Sequence, residues 1–171
     1  MLDCSQNQLI EIDLTPVSGL QELGCSLNKL AKLNLSPVPE LKKLDCSNNK
    51  LSELDLSHVP KLQKLVCMFN QLTSLYLKPV LDLQCLWCSD NQLIELDLTP
   101  VSGLQELGCP FNRLTELDLT SVPNLQVLSC TFSQLNYLDL SPVPGLKKFR
   151  SNYSVTIKNA PQNLKIFPSY D

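Results

Sequence analysis

Thiols, one imidazole and a row of carboxylates are the groups in this chain that chemistry would use. Seven of the eight cysteines, Cys4, Cys25, Cys46, Cys67, Cys88, Cys109 and Cys130, recur every 21 residues, and Cys85 stands apart. Cys85-Leu86-Trp87-Cys88 has the C-x-x-C spacing of redox and zinc sites. On a strand, however, residues three apart face opposite sides. Cys85 then turns outward and Cys88 inward, and the pair cannot close on one metal. Neighbouring ladder thiols stand about 4.8 Å apart, one strand spacing, but their Cβ vectors run parallel instead of converging. They read as unoxidised core residues, small hydrophobes with inert thiols. His58 has no second imidazole and no nucleophile in an unusual context beside it, so neither a Ser-His-Asp nor a Cys-His arrangement has a basis. Asp13, Asp55, Asp97, Asp118 and Asp139 make another ladder. Calcium takes roughly six to eight oxygens, and the set lacks the glycine-rich turns of calcium solenoids, so capping by neighbouring Ser and Thr is the simpler role. No acid–base pair in a pocket and no cofactor loop is legible, which argues against an enzyme and for no metal or cofactor.

The elements that position these groups come from a repeat. Its core is L-x-x-L-x-C-x-x-N-x-L-x-x-L-x-L-x-x-V, clearest between Leu41 and Lys61. Asparagine follows each ladder cysteine at Asn7, Asn28, Asn49, Asn70, Asn91 and Asn112, until Ser133 breaks the series, and valine keeps the same step from Val17 to Val143. Alternation in Leu65-Val66-Cys67 predicts a short strand with Leu65 and Cys67 inward and Lys64 and Val66 outward. One such face cannot bury itself, so the strands must stack into one parallel sheet. The asparagine amide is suited to bond backbone groups of the following turn. The proline-rich return loop excludes a helix of useful length, and its valine plugs the core. The segment Asn7 to Cys25 recurs at Asn91 to Cys109 with Ile12 answered by Leu96 alone, the mark of a duplicated four-repeat block.

This pattern resembles the leucine-rich repeat, in particular the bacterial internalin type whose 21-residue units stack a cysteine ladder. The resemblance covers about residues 1–148, some seven units, the first lacking its opening leucine. It implies a repeat solenoid, a curved right-handed coil with a parallel β-sheet on the concave face, an extended or 3-10 convex side and little α-helix. Residues 149–171, where the pattern fades, are expected to form a C-terminal capping segment. Two short strands, at 155–158 and 164–167, and the aromatics Tyr153, Phe167 and Tyr170 would make it a lid. The resemblance also implies a ligand-binding scaffold at a cell surface or secreted, active in adhesion or host contact, without naming a ligand. The missing N-terminal cap suggests a piece of a longer protein and an open end suited to self-association.

With 43% hydrophobic and 18% charged residues the chain can fill a continuous core, and no window approaches the roughly 18 apolar residues of a membrane span. Since scaffold positions are fixed, the informative residues are those that vary on the concave face. The third position carries Lys64 and Cys85, the fifth Val66 and Trp87, and the seventh Met68. The eighth carries Phe69, Asp90, Phe111 and Phe132. These residues define a candidate partner surface, because exposed apolar patches of several hundred Å² usually mark interfaces and Trp and Phe are common anchors. Alternatively, the eighth-position side chains fold over the asparagine loop and shield the core edge. Trp87 favours a partner: it lies mid-strand on the outward parity, where nothing in the scaffold needs a large ring. A protein partner is expected, with carbohydrate as an alternative because indole and phenyl rings also stack on sugars. Charges on this face are mixed, Lys43, Lys64 and Lys148 against Asp45, Asp90 and Glu106, so nucleic acid is not expected.

Overall fold

Leucine and cysteine at alternate positions produce one short strand per repeat, and the strands stack in register. The computed structural model describes residues 1–152 and 154–168, so Tyr153 and Tyr170 of the expected lid lie outside the described residues. The strands are β1 (Leu2–Asp3), β2 (Glu22–Gly24), β3 (Lys43–Asp45), β4 (Lys64–Val66), β5 (Cys85–Trp87) and β6 (Glu106–Gly108). After them come β7 (Val127–Ser129), β8 (Tyr137–Asp139), β9 (Lys148–Ser151), β10 (Thr156–Lys158) and β11 (Lys165–Pro168). Nine of them form a single parallel sheet in the order β1-β2-β3-β4-β5-β6-β7-β9-β11, while β8 and β10 pair separately. The register never slips. Leu23, Leu44, Leu65, Leu86, Leu107, Leu128 and Phe149 are partners in turn, all buried. The chain is thus a β-solenoid of the expected class, and a 3-10 turn at Thr15–Val17 is its one helical element among the described residues.

All eight cysteines are free thiols, and Cys25, Cys46, Cys67, Cys88, Cys109 and Cys130 have no exposed surface. Burial pushes the thiols of Cys25, Cys88 and Cys130 up to about 12, which leaves them protonated and unreactive at neutral pH. The asparagines do more than turn the chain. The Asn91 amide Nδ2 donates to the carbonyls of Cys67 (3.0 Å), Cys88 (3.1 Å) and Ser89 (3.1 Å), and its Oδ1 accepts the Leu72 N–H at 3.0 Å. Each such asparagine ties its own turn to the preceding repeat, and Asn28, Asn70 and Asn112 repeat the pattern. Where Ser133 interrupts the series, its Oγ reaches only the Cys130 carbonyl, at 2.8 Å.

On the opposite wall the aspartate ladder is spent on local turns. The Oδ1 atoms of Asp13, Asp55, Asp97 and Asp118 each accept the N–H two residues on at 2.9 Å, and that of Asp139 does so at 2.8 Å. These bonds hold the carboxyls below their usual range, with the backbone N–H the largest cause at Asp13, Asp55 and Asp118, the Thr99 hydroxyl at Asp97, and the Asn159 amide at Asp139. A carboxyl with a depressed folded-state pKa binds its proton less readily folded than unfolded. Its contribution is therefore complete above the ordinary carboxylate pKa of about 4 and is lost as pH falls through the depressed values. The midpoint of thermal unfolding is expected to be flat from neutrality to about pH 5 and to fall below about pH 4. Five simultaneous Asp→Asn changes at the ladder should flatten that acid limb, and an unchanged limb in the variant would refute the assignment.

Candidate functional site

Two rows of side chains on the concave side are set by backbone geometry. The first is the eighth position, just past each strand. Gln6, Leu27, Asn48, Phe69, Asp90, Phe111 and Phe132 all have φ between 51° and 57°, the left-handed region. That conformation turns the chain so that the next residue, the asparagine, points inward, and it suits Asn and Asp better than any bulky residue. Yet the row carries three phenylalanines and a leucine, and Phe69, Phe111 and Phe132 remain 49%, 48% and 40% exposed. Phe111 and Phe132 stack face to face, with ring centroids 4.3 Å apart and planes 9° from parallel. Phe69 stands apart from that pair, with Asp90 between, and burial raises the Asp90 carboxyl.

The second row is the fifth position. Asp3, Gly24, Asp45, Val66, Trp87, Gly108, Ser129 and Arg150 are successive partners across the sheet. Here the expectation that no scaffold position needs the Trp87 ring is corrected. The indole lies flat over Gly108, so close that a Cβ built there would stand 2.0 Å from Cε3. The ring occupies the space that a missing side chain leaves; it is half-buried and lines a hollow of the concave face. Trp87 Nε1 donates to Glu106 Oε2 at 3.4 Å, and the Cys85 Sγ lies 3.5 Å from the same oxygen. Burial first, and the adjacent Glu106 charge second, push the Cys85 thiol up to about 11. This removes the reactive character that its outward position suggests. Cys85 does face outward and Cys88 inward, so the C-x-x-C spacing closes no site.

The expected partner surface is thereby divided into three. Phe69, Phe111 and Phe132 form a rim beside the strand ends. Lys64 and Val66 line a hollow floored by Gly24 toward the first strands. Trp87 is a wall of a second hollow, of about 400 Å³, whose floor is Ser129 and Phe149 and whose far side is Arg150 and Phe167. Met68 is half-buried between rim and sheet. Gly108, Ser129 and Arg150 were not singled out from the sequence, and Phe167 was expected only as an aromatic of the C-terminal lid. A glycine one repeat after the tryptophan, in the same slot, was the signal that linked the first of them to Trp87.

On the convex wall, His58 Nδ1 lies 2.9 Å from Ser57 Oγ and 3.7 Å from Asp55 Oδ2, all three exposed. A catalytic triad needs different ring nitrogens for the hydroxyl and the carboxylate. One nitrogen facing both builds a surface turn.

A family model of leucine-rich repeats in two copies matches residues 39–80. The functional domain of InlJ from Listeria monocytogenes, whose structure includes a cysteine ladder, superposes with a TM-score of 0.89 at 38% identity, covering 95% of this chain and 37% of that one. The chain belongs to the leucine-rich repeat family. Within the family its repeats are of the internalin-like, cysteine-ladder kind. YopM from Yersinia enterocolitica WA-314 is similar at 32% identity and a TM-score of 0.78, over 94% of this chain and 35% of that one. An LRR protein of Leptospira interrogans shares the fold at 18% identity and a TM-score of 0.71, over 97% of this chain and 59% of that one. No curated protein sequence matches the chain. This leucine-rich repeat chain spans 37% and 35% of the length of the first two structures. Leucine-rich repeat proteins of this kind are protein-interaction scaffolds, generally without catalytic activity.

Proposed function

We propose that this leucine-rich repeat chain recognises a protein partner through its concave face and the aromatic rim beside it, in adhesion or host contact. The observation that carries the reading is the phenylalanine row at left-handed φ. A bulky residue there costs about 1–2 kcal/mol that an asparagine avoids in large part, and half of each ring stays in water. Edge packing rewards the Phe111 and Phe132 pair through stacking, but it offers nothing comparable to Phe69. Strain retained without a compensating core contact is the mark of a functional position. The internalin-like repeats support adhesion or host contact, and the half-buried Trp87 supplies a second apolar anchor.

The same strain gives a clean test. Phe69→Asn and Phe111→Asn relieve the backbone while removing the rings, so the double variant should stay within about 1 kcal/mol of wild type in urea unfolding. A partner captured from host-cell extracts by wild type and lost by this equally stable variant is the expected result. Equal capture by both would return the rim to edge packing, and capture of glycans in place of protein would favour a sugar-binding surface.

A further inference from the structure

The charge of the chain is split along its length. Residues 1–139 hold nine cations against sixteen carboxylates, whereas residues 140–171 hold five cations and one acidic side chain, Asp171. Two lysines pair with a carboxylate one repeat away, Lys43 with Glu22 at 2.7 Å and Lys61 with Glu40 at 2.6 Å. At the C-terminal end of the sheet the described strands offer Lys148 and Arg150 no carboxylate as an in-register partner. Lys148 has Val127 on one side and Lys165 directly opposite on the other. Like charges in register repel. Arg150 stands beside Ser129 and sits over the Phe167 ring, 5.5 Å from its centroid. Among the described residues, none of these three cations is paired with a carboxylate. Glu106, on the same face two strands from Lys148, already accepts from Trp87 and Cys85.

These cations frame apolar space. The hollow between Trp87 and Phe167 has Lys148 and Arg150 on its basic side, Val127 in its apolar lining, and Glu106 at the Trp87 end, where its carboxylate accepts from the indole N–H. Lys148 also lines a neighbouring hollow of about 550 Å³ with Lys147 and Lys165. Both volumes fall in the range of about 300–1,000 Å³ typical of ligand sites.

We propose that this groove binds an acidic peptide segment of the protein partner, a carboxylate lying between Lys148 and Arg150 and an adjacent aromatic or branched aliphatic side chain resting on Trp87 and Val127. The inference rests on the concave-face reading and gives it a ligand chemistry. A carboxylate there would supply the counter-charge that Lys148 and Lys165 lack, and the guanidinium fork suits it in bidentate geometry. Apolar walls and so few cations favour a peptide over a polyphosphate, which needs a basic stripe. The chain as a whole carries a net charge of −3, so selection of acidic peptides would not follow from its long-range field.

The test is to pan a random 12-residue peptide library displayed on phage against the immobilised chain. The recovered peptides are then titrated while following the emission of Trp87, the single tryptophan. Enriched peptides should combine two or more Asp or Glu with an aromatic or branched aliphatic residue, and their Kd should rise with salt. It should rise at least tenfold in Lys148→Gln/Arg150→Gln and stay unchanged in the exposed control Lys50→Gln/Lys78→Gln. Peptides without acidic residues, equal binding by the two double variants, or displacement by oligo-dT at matched charge would overturn the proposal. Non-acidic peptides whose binding, read by Trp87 emission, is still lost on Phe69→Asn would reject this ligand chemistry and leave concave-face recognition standing. Peptides indifferent to every variant would reject both.

Discussion

Asn91→Ala should destabilise the chain by roughly 3–5 kcal/mol. Leu72 is buried, and the Oδ1 of Asn91 is the acceptor of its N–H, so truncation orphans a buried donor at about 1–3 kcal/mol. Three further bonds from Nδ2 disappear at about 0.5–1.5 kcal/mol each. The carbonyls lose less than a simple count suggests. Cys67 O keeps the amide of Asn70, Cys88 O keeps that of Asn112, and Ser89 O keeps the Phe69 N–H. The control lies in the same slot of the first repeat. Asn7 is exposed and reaches only the carbonyls of Cys4 and Ser5, so Asn7→Ala should cost below about 1 kcal/mol. Urea unfolding of the two variants decides the matter: equal losses would mean that the inter-repeat bonds of the asparagine ladder add nothing to stacking.

That contrast also explains what was legible in the sequence. A residue that serves every repeat, such as the cysteine, asparagine or valine of the ladders, leaves a period in the chain, and the fold follows from the period because one unit cannot bury its own face. The strands β10 and β11 were also visible as short apolar alternations, although their pairing with β8 and β9 was not. Features that exist once leave no period. Left-handed φ at the eighth position was masked because Leu27 and three phenylalanines sit where Asn or Gly would announce it; only Asn48 and Asp90 hint at the conformation. The basic end of the groove joins Lys148 and Arg150 of β9 to Lys165 and Phe167 of β11, and residue counting alone does not bring them onto adjacent strands. Trp87 was recognised as exceptional for its parity, but its reason lay one repeat further on.

Gly108→Ala should be the most damaging small change on the concave face, because the new methyl would enter the Trp87 ring, 2.0 Å from Cε3 and 2.4 Å from Cζ3. An indole cannot yield as the end of a flexible side chain does, so the ring must leave its seat. Overpacking of this kind costs about 1–3 kcal/mol. Gly24 occupies the corresponding slot of the duplicated block, yet a Cβ there meets only side-chain ends, Asp3 Oδ1 at 3.0 Å and Ser5 Oγ at 3.3 Å. Gly24→Ala is expected to be neutral or stabilising, since glycine inside a strand is entropically unfavourable. A double-mutant cycle separates the causes. If the indole is the obstacle, Gly108→Ala in a Trp87→Ala background should lose its cost and match Gly24→Ala, a coupling of about 1–3 kcal/mol. Emission from the single tryptophan should shift to the red in Gly108→Ala alone as the ring swings into water. An unshifted spectrum, or a penalty that survives removal of the ring, would place the constraint in the β6 backbone and take from Trp87 its fixed position as the wall of the groove. Should the coupling hold, the same glycine that looks like a gap in the sheet is what holds the indole in place as a wall of the groove.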